Sequence, residues 1–184
     1  MKRLVDIVLS LVALIALSPI LLIAALAIAA DSGRPVLFRQ VRVGLGGRKF
    51  SMYKFRSMVN GAQTAGPYFT NVNDTRITRV GRIIRRCSID ELPQLFNVLT
   101  GEMSLVGPRP DLPVQRPLYS QAAWAQRCSV RPGITGLAQA ILRSEGTERQ
   151  RQALDLQYVR ESSVSLDLKI MWLTLGRLSG KGGN

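Results

Sequence analysis

A long uncharged stretch dominates the hydrophobic pattern at the N-terminal end of the chain. Residues 7–30 are nearly all apolar and include no charged side chain, and about 20 such residues suffice for a helix to cross a bilayer. The pair Ser18-Pro19 interrupts this stretch near its middle. A proline inside a helix removes a backbone hydrogen bond and costs about 3 kcal/mol. The pattern therefore predicts a membrane-inserted helix that is broken at Ser18-Pro19.

Basic residues flank both ends of this stretch. Lys2 and Arg3 precede it, and the basic residues that follow it are Arg34, Arg39, Arg42, Arg48 and Lys49. Since basic flanks tend to stay on the cytoplasmic side, the distribution favours a re-entrant helix, which returns to the face it entered. The Ser18 hydroxyl can pair with backbone groups that Pro19 leaves unpaired. A kinked spanning helix is the alternative, whereas the length of the stretch and its proline disfavour a cleaved signal peptide.

Farther along, the pattern changes to that of β-strands. Residues 36–41 and 49–55 are β-like runs on either side of the glycine-rich segment 44–47, which predicts a hairpin. Because side chains alternate between the faces of a strand, Lys54 and Arg56 are expected on the same face.

Residues 75–86 have helical periodicity and one strongly basic side. The basic positions are Arg79, Arg82 and Arg86, and the apolar face comprises Val80, Ile83 and Ile84. A basic amphipathic helix suits a membrane surface or a polyanionic ligand. Residues 145–161 are typical of a polar helix. Residues 165–175 are more apolar around Trp172, which indicates a core helix or, as we favour, an interfacial helix on the membrane.

Two acidic residues stand where the next helix is expected to begin. Ser88-Ile89-Asp90-Glu91 has the form of a capping box, and an apolar helical face with a stop at Gly101 follows it. Two interpretations stay open here. Asp90 and Glu91 complement the dipole of a helix N-terminus, or they are catalytic carboxylates.

Two proline-containing loops each present one arginine. They are residues 107–110, with Arg109, and residues 131–136, with Arg131. Arginine binds phosphate in a bidentate manner, and a stiff loop holds it in place. A single loop arginine is usually only solvated, but together with Arg143 these two indicate a phosphate-binding site.

Charge and the absence of histidine narrow the chemistry. The net charge of +13 indicates an anionic partner, which can be nucleic acid, an anionic membrane or a phosphorylated substrate. Without histidine, Ser-His, Cys-His and His-metal sites are excluded, which leaves carboxylates, Lys, Tyr or a hard metal ion. The two cysteines lack the spacing of a metal site or disulfide framework. Nucleic acid is disfavoured because no recognition motif or aromatic-and-basic platform is present.

Several motifs occur in a specific order along nearly the whole chain. The longest are residues 88–99, which begin Ser88-Ile89-Asp90-Glu91, and residues 103–110, which end Gly107-Pro108-Arg109-Pro110. The others are Phe38-Arg39-Gln40, Tyr53-Lys54-Phe55-Arg56-Ser57-Met58, Pro132-Gly133-Ile134-Thr135-Gly136 and Leu166-Asp167-Leu168-Lys169-Ile170. This set closely resembles the signature of the bacterial sugar transferases, the monotopic phosphoglycosyl transferases of glycan assembly. With one hydrophobic segment, the chain is similar to the small form of that family, without the extra transmembrane helices of the larger form.

Pattern and resemblance together predict a mainly α fold with a short β-hairpin. The resemblance implies a monotopic membrane protein with one re-entrant, Ser-Pro-broken N-terminal helix and amphipathic helices on the membrane surface. Residues 1–32 would form the re-entrant membrane helix. Residues 33–184 would form a catalytic domain on the cytoplasmic face of the bacterial inner membrane.

The resemblance also implies the reaction. A sugar-1-phosphate passes from a UDP-sugar to polyprenyl (undecaprenyl) phosphate with release of UMP, as the first membrane step of bacterial glycan assembly. Asp90 and Glu91 are then a catalytic dyad in which Asp90 forms a covalent aspartyl-phosphosugar intermediate, and either carboxylate holds Mg²⁺. The candidates for binding substrate phosphates are Lys54, Arg56, Arg85, Arg109, Arg131 and Arg143. Anionic membrane lipids are further expected partners, and nucleic acid is not.

Departures from the family pattern leave the sugar unassigned. Leu137 stands where family members usually have Trp, and Ile141-Leu142 stand where Asn-Gly often precedes the equivalent of Arg143. The competing hypotheses are a non-catalytic membrane scaffold, in which Asp90-Glu91 only caps a helix, and a membrane-tethered nucleic-acid binder. A homo-oligomer is compatible with the sequence, which decides neither the oligomeric state nor the polyprenol length or glycan pathway.

Overall fold

The computed structural model describes residues 1–62, 66, 74–142 and 146–179, with side chains described as far as residue 176. Its helices and strands are α1 (Lys2–Ala16), α2 (Ser18–Ser32), β1 (Leu37–Val43), β2 (Lys49–Phe55), α3 (Arg79–Arg86), α4 (Gln94–Thr100), β3 (Ser104–Val106), α5 (Gln121–Arg127), β4 (Gly133–Thr135), α6 (Leu137–Leu142), α7 (Glu148–Glu161) and α8 (Val164–Ser179). Short 3-10 helices occur at Leu45–Gly47, Ile89–Glu91 and Pro113–Leu118. The described chain is mostly helical with short strands, which confirms the predicted mainly α class.

Helices α1 and α2 form one apolar segment that bends in its middle. The first helix ends at Ala16, the second begins at Ser18, and the two are bent by 61°. Pro19 lies in the first turn of α2, where its missing N–H breaks no intrahelical hydrogen bond. The Ser18 hydroxyl donates to the Ile15 carbonyl at 2.8 Å. The predicted break and the predicted contact of Ser18 with the backbone are both confirmed.

The bent pair exposes a large apolar surface. Within the described ranges, no helix is by itself long and apolar enough to cross a bilayer, although α1 and α2 taken together meet that test. The side chains that are more than half exposed include Leu4, Val12, Ile15, Leu22, Ile23 and Leu26. One face of α2 is covered, because Ala24 and Ile28 pack with Phe55 of β2 and Ile84 of α3 in a buried cluster. The rest of α2 is open to its surroundings.

Charged side chains anchor the beginning of α1 to distant parts of the chain. Lys2 forms an ion pair with Asp167 of α8, and Arg3 donates to two carbonyls at the C-terminal end of α4. Asp6 is buried and accepts hydrogen bonds from two residues of β3. The first turns of the apolar segment are therefore attached to three other elements.

Strands β1 and β2 form the predicted hairpin. They pair in antiparallel register on either side of the turn at 44–47. Helix α4 docks on this hairpin through Asn97, which is fully buried, accepts a hydrogen bond from the Tyr53 amide and donates to the Ser51 carbonyl. Because Lys54 directly follows Tyr53, this contact fixes the strand beside a predicted substrate-binding residue.

Strands β3 and β4 form a second, parallel pair that the sequence did not predict. Ser104 pairs with Gly133, and Val106 pairs with Thr135. At the end of β3, a Cβ atom on Gly133 would lie 2.1 Å from the amide nitrogen of Gly107. Glycine is needed at both positions, because a side chain there would push the two backbones apart. This close approach brings together the two loops that carry Arg109 and Arg131.

Helix α3 keeps the predicted basic side but divides the predicted apolar face. Thr78 caps its N-terminus by accepting a hydrogen bond from the Gly81 amide. Ile84 is 4% exposed, whereas Ile83 is 64% exposed. The predicted apolar face is therefore divided between the buried Ile84 and the exposed Ile83, which follows Arg82 in the chain.

Helices α7 and α8 correspond to the two predicted C-terminal helices, with shifted ends. Tyr158 and Ile170 belong to a buried cluster that also contains Val106. Trp172 is 78% exposed, which contradicts the core interpretation of this residue.

Candidate active site

Asp90 and Glu91 lie in a 3-10 helix and not in the first turn of an α-helix. Ser88, the residue before this helix, has a left-handed backbone (φ 55°, ψ 18°), and its side chain makes no capping hydrogen bond. The predicted capping box is therefore wrong. A capping serine needs an extended backbone, whereas the chain here has only two residues between the end of α3 at Arg86 and the 3-10 helix at Ile89.

Two cationic side chains hold Glu91. Lys54 Nζ donates to Glu91 Oε1 at 2.8 Å. Arg109 Nη2 donates to the same oxygen at 2.6 Å, and its Nη1 lies 3.4 Å from Oε2. The Lys54 side chain is 16% exposed, but that of Arg109 is 43% exposed. Arg109 can therefore reach a ligand while it pairs with Glu91.

Asp90 is buried without such partners. It is 8% exposed, and no residue in the described part of the chain donates a hydrogen bond to its carboxylate. Burial and the charge of Glu91 raise the pKa of Asp90 to about 6, against the opposing charges of Lys54, Arg85 and Arg109. At pH 7 this carboxylate is therefore mostly ionised, and its oxygens accept no hydrogen bond from the described residues. Both properties suit a nucleophile or a metal ligand.

The two carboxylates of the dyad therefore differ in their electrostatics. Burial alone would raise the pKa of Glu91, but the charges of Arg109 and Lys54 outweigh it and hold that pKa well below its usual range. Neighbouring carboxylates with separated pKa values are typical of active sites. We call Asp90, Glu91, Lys54 and Arg109 the dyad cluster.

The structure brings three of the predicted phosphate-binding residues to the dyad. Lys54 and Arg109 contact Glu91 directly, and Arg85, in the last turn of α3, is close enough for its charge to lower the pKa of Asp90. These residues come from β2, the loop after β3, and α3. Their binding of substrate stays a prediction, but their convergence gives it a defined location.

Arg56 has other partners. It is 5% exposed, and its Nη2 donates to the Ser32 and Gly33 carbonyls at the C-terminal end of α2, where a cation complements the helix dipole. Strand β2 ends at Phe55, so the alternation that predicted a face shared with Lys54 does not extend to Arg56. These contacts assign Arg56 to the end of α2 and lend no support to phosphate binding.

Arg131 has a partner other than the dyad cluster. The Nε of Arg131 donates to the Gly101 carbonyl at the end of α4, at 2.8 Å. Arg143 lies outside the described residues, so its predicted role stays a prediction.

The loop that presents Arg109 is fixed through its carbonyl groups. The carbonyls of residues 108, 109, 110 and 111 accept hydrogen bonds from Gly133 N, Arg127 Nη2, Arg42 Nη1 and Val43 N, respectively. Because the two prolines have no N–H group to donate, these carbonyl contacts carry most of the fixation. Sequence reasoning missed Arg127 and gave Arg42 only a flanking role, since neither belongs to a motif or to a periodic basic face, and their contacts with residues 109 and 110 are made only in the folded chain.

Arg127 also binds two carboxylates. It is 5% exposed, its Nη1 forms an ion pair with Asp111 at 2.8 Å, and its Nε and Nη2 donate to Asp155 at 3.1 and 2.9 Å. We call Asp111, Arg127 and Asp155 the Arg127 cluster. Burial raises the pKa of Asp155 to about 6, against the charge of Arg127.

Asp90 has the chemistry of a ligand for a hard cation. Among the described residues, no three Asp, Glu, Cys or His side chains gather into a metal site. Mg²⁺ is often held by one or two carboxylates together with substrate phosphates, which fits Asp90 because its carboxylate has no described partner. Glu91 fits less well, because its oxygens already accept from Lys54 and Arg109.

Comparison with known proteins adds the family context. A family model described as bacterial sugar transferase matches residues 1–181. The chain is 49% identical over 187 residues to an undecaprenyl-phosphate glucose phosphotransferase of Komagataeibacter xylinus, an alignment that covers 96% of this chain and 35% of that protein. It is 46% identical over 186 residues to a UDP-glucose:undecaprenyl-phosphate glucose-1-phosphate transferase of Caulobacter vibrioides, with coverage of 96% and 69%.

A third relative carries a different sugar in its name. It is a UDP-N-acetylgalactosamine-undecaprenyl-phosphate N-acetylgalactosaminephosphotransferase of Aeromonas hydrophila, 41% identical over 182 residues, with 95% of this chain and 42% of that protein covered. The chain thus spans well under half the length of the Komagataeibacter and Aeromonas proteins, and about two thirds of the Caulobacter protein.

Proposed function

The chain belongs to the bacterial sugar transferase family, and on that premise we propose that it transfers a sugar-1-phosphate from a UDP-sugar to undecaprenyl phosphate and releases UMP. The observation that carries this proposal is the asymmetry of the dyad. Glu91 accepts hydrogen bonds from Lys54 and Arg109. The adjacent Asp90 is buried, accepts none from the described residues and is mostly ionised at pH 7. The names of the relatives supply the class of donor and acceptor.

Asp90 is the nucleophile in this proposal. An oxygen of its carboxylate attacks the β-phosphorus of the UDP-sugar, the bond from that phosphorus to the bridging oxygen breaks, and UMP leaves with the electron pair. An oxygen of undecaprenyl phosphate then attacks the same phosphorus, and Asp90 departs as a carboxylate. A carboxylate suits both steps, because above about pH 6 it is ionised without a base and its acyl phosphate is reactive.

The cations of the cluster bind the diphosphate of the donor. Arg109 is accessible enough to contact phosphate oxygens in a bidentate manner, and Lys54 adds a point charge. Glu91 orients both cations, and Arg85 contributes positive potential near Asp90. Electrostatic stabilisation by groups already in place is often the largest contribution to catalysis.

Mg²⁺ is the cofactor in this proposal. Asp90 would hold it, with the remaining ligands supplied by the substrate and water, consistent with the small number of protein ligands that Mg²⁺ commonly uses. When bound, the ion neutralises the diphosphate and stabilises negative charge on the departing UMP.

The bent helix pair enters the cytoplasmic face of the inner membrane and returns to it. In support, both ends of the apolar segment contact the same folded part of the chain. At the start of the segment, Lys2 forms an ion pair with Asp167 of α8. At its end, the Ser32 and Gly33 carbonyls accept hydrogen bonds from Arg56, which directly follows β2. Contacts of both ends with the same folded part of the chain are what a re-entrant segment requires, and they support this topology over a spanning one.

This topology is tested with single cysteines placed at Met1 and Gly33 in a variant lacking Cys87 and Cys128. Both positions should react with an impermeant maleimide from the cytoplasmic side of inside-out vesicles. Labelling of the two positions from opposite sides would establish a spanning segment.

UMP release tests the activity. A panel of donors that includes UDP-glucose and UDP-N-acetylgalactosamine is assayed with undecaprenyl phosphate and Mg²⁺. Wild type is compared with Asp90→Asn. We expect release by wild type and a loss of at least about 10³-fold in the variant, which lacks the nucleophile. Without acceptor, wild type should release a burst of up to one equivalent of UMP. If no donor gives UMP above the variant background, the proposed function is wrong.

A further inference from the structure

One guanidinium group connects the two buried clusters. Arg127, at the end of α5, pairs with Asp111 and Asp155, and its Nη2 also donates to the main-chain carbonyl of Arg109 at 2.5 Å. Arg109 in turn contacts Glu91 of the dyad. A path of direct contacts therefore runs from α7, which carries Asp155, to the dyad.

Arg127 contacts the loop that carries Arg109 at two positions, which are two residues apart. It holds the Arg109 carbonyl and the Asp111 side chain simultaneously, so the short segment between them has little freedom to rotate. The direction in which the Arg109 side chain leaves the backbone depends on the orientation of that segment. Since Arg109 is the most exposed member of its ion pair with Glu91, its packing alone constrains it weakly, and its backbone must be fixed by other means.

The composition of the Arg127 cluster suits an orienting role. One carboxylate is enough to balance the charge of Arg127, yet two are present and both are buried. A guanidinium directs its donors in a planar fork. Asp155 fixes the rotation of that fork by accepting hydrogen bonds from Nε and Nη2, and Asp111 adds an ion pair with Nη1. With Asp155 on one edge and Asp111 on Nη1, the remaining donor of Nη2 faces the Arg109 carbonyl.

We infer that Arg127 is a positioning residue for Arg109: it holds the Arg109 peptide and the Asp111 side chain together, and thereby keeps the Arg109 guanidinium on Glu91. Arg127 does not touch substrate and acts only through Arg109. Its effect on turnover rests on the proposed function, whereas its effect on the loop does not.

A double-mutant cycle tests this relation. Arg127→Lys keeps a cation between the buried carboxylates but cannot reach all three acceptors, so kcat/KM for the UDP-sugar should fall about 10-fold to 100-fold. In an Arg109→Lys background, the same substitution should change kcat/KM by less than about twofold, because the residue through which it acts is already altered. An equal fold loss in both backgrounds would overturn the inference.

KM for the UDP-sugar supplies a readout that a loss of folded enzyme does not move. Because Arg109 contacts Glu91 and is the more exposed cation of the dyad cluster, a misplaced Arg109 should raise KM for the UDP-sugar about tenfold in Arg127→Lys. Tyr158→Phe is the matched control. Tyr158 lies on α7, as Asp155 does, and the substitution removes a buried hydroxyl that is hydrogen-bonded to Val106 and Asp167. It should lower Tm and leave KM for the UDP-sugar within about twofold of wild type.

Hydrogen–deuterium exchange of residues 107–112 makes the test independent of catalysis. Arg127→Lys should speed exchange in this segment at least about tenfold relative to wild type, as expected for a segment that opens locally, while Tyr158→Phe should not. Selective acceleration without UMP release from wild type would leave the inference standing and the proposed function wrong. Unchanged exchange in 107–112 would refute the positioning role, whatever the activity.

Discussion

The dyad cluster and the Arg127 cluster are built from the same kinds of side chain but distribute their partners differently. In the Arg127 cluster, one guanidinium contacts both Asp111 and Asp155. In the dyad cluster, Lys54 and Arg109 both converge on Glu91, and no described residue donates a hydrogen bond to Asp90. In the Arg127 cluster both carboxylates pair with the same cation, whereas in the dyad cluster both cations pair with Glu91 and neither forms an ion pair with Asp90.

A perturbed pKa does not separate these clusters. Burial raises the pKa of Asp90 and that of Asp155, each to about 6. Structural ion pairs perturb titration as active sites do, and a buried charge is tolerated when it is paired. A buried carboxylate that has no ion pair, next to cations that pair with another residue, is therefore a better indication of a catalytic residue than a raised pKa alone.

The largest expected effect is a contrast between Asp90→Asn and Asp155→Asn. The first should reduce UMP release at least about 10³-fold without lowering Tm, since it removes the nucleophile and an unpaired buried charge. The second should lower the free energy of unfolding by about 3 kcal/mol, because Arg127 loses one of its buried partners. Its kcat/KM per folded molecule should fall only about tenfold, because Asp155 acts on the dyad cluster through Arg127 and Arg109 and does not take part in the chemistry.

Active-site titration and thermal unfolding on the same preparations separate these outcomes. If Asp155→Asn were as inactive as Asp90→Asn while remaining folded, the distinction between a catalytic and a structural cluster would collapse.

The next effect concerns the partner of the free carboxylate. Glu91→Gln removes the charge that binds Lys54 and Arg109, so both cations should lose their fixed positions and kcat/KM should fall about 10²-fold. Glu91→Asp, which keeps the charge on a shorter side chain, should recover part of this loss. Steady-state UMP release measures both variants. Equal activity of Glu91→Gln and wild type would show that the ion pairs of Glu91 do not organise the site.

A smaller effect should appear in the pH dependence of stability. Because the pKa of Asp90 rises from 3.8 to about 6 on folding, the folded protein binds a proton between these values that the unfolded chain has released. Ionised Asp90 therefore destabilises the fold progressively as pH rises through this window, by about 3 kcal/mol above pH 6. Relative to wild type, Asp90→Asn should gain stability from pH 4 to pH 7.

Denaturant unfolding in detergent micelles at pH 4 and pH 7 checks this gain. A stability difference between Asp90→Asn and wild type that does not vary with pH would mean that Asp90 titrates as an exposed carboxyl does.

Features encoded in neighbouring residues could be predicted from the sequence. The break at Ser18-Pro19 follows from the chemistry of proline in a helix, and the hairpin follows from two β-like runs around a glycine turn. The family motif marked Asp90-Glu91 and Arg109 as site residues. The capping box failed because the left-handed backbone of Ser88 depends on how α3 ends, which the S-x-x-E pattern does not contain.

Features assembled from distant residues could not be predicted. Strands β3 and β4 have three residues each, too short for a periodic signal, and they pair only in the folded chain. The Arg127 cluster joins a loop, α5 and α7, and each of its members is an ordinary charged residue in its own segment. Asn97 is a polar residue in an otherwise apolar helix, and its role is apparent only from its hydrogen bonds with the backbone of β2.

The smallest effect is expected outside both clusters, at Arg131. Its Nε binds the Gly101 carbonyl at the end of α4, a contact that a lysine ammonium can replace, so Arg131→Lys should leave KM for the UDP-sugar within about threefold of wild type. Arg109→Lys is the matched comparison, because it replaces a two-pronged contact with Glu91 and should raise KM more than about tenfold. If both substitutions raised KM equally, Arg131 would be a phosphate ligand as the sequence predicts, and the substrate site would extend beyond the dyad cluster to the loop after α5.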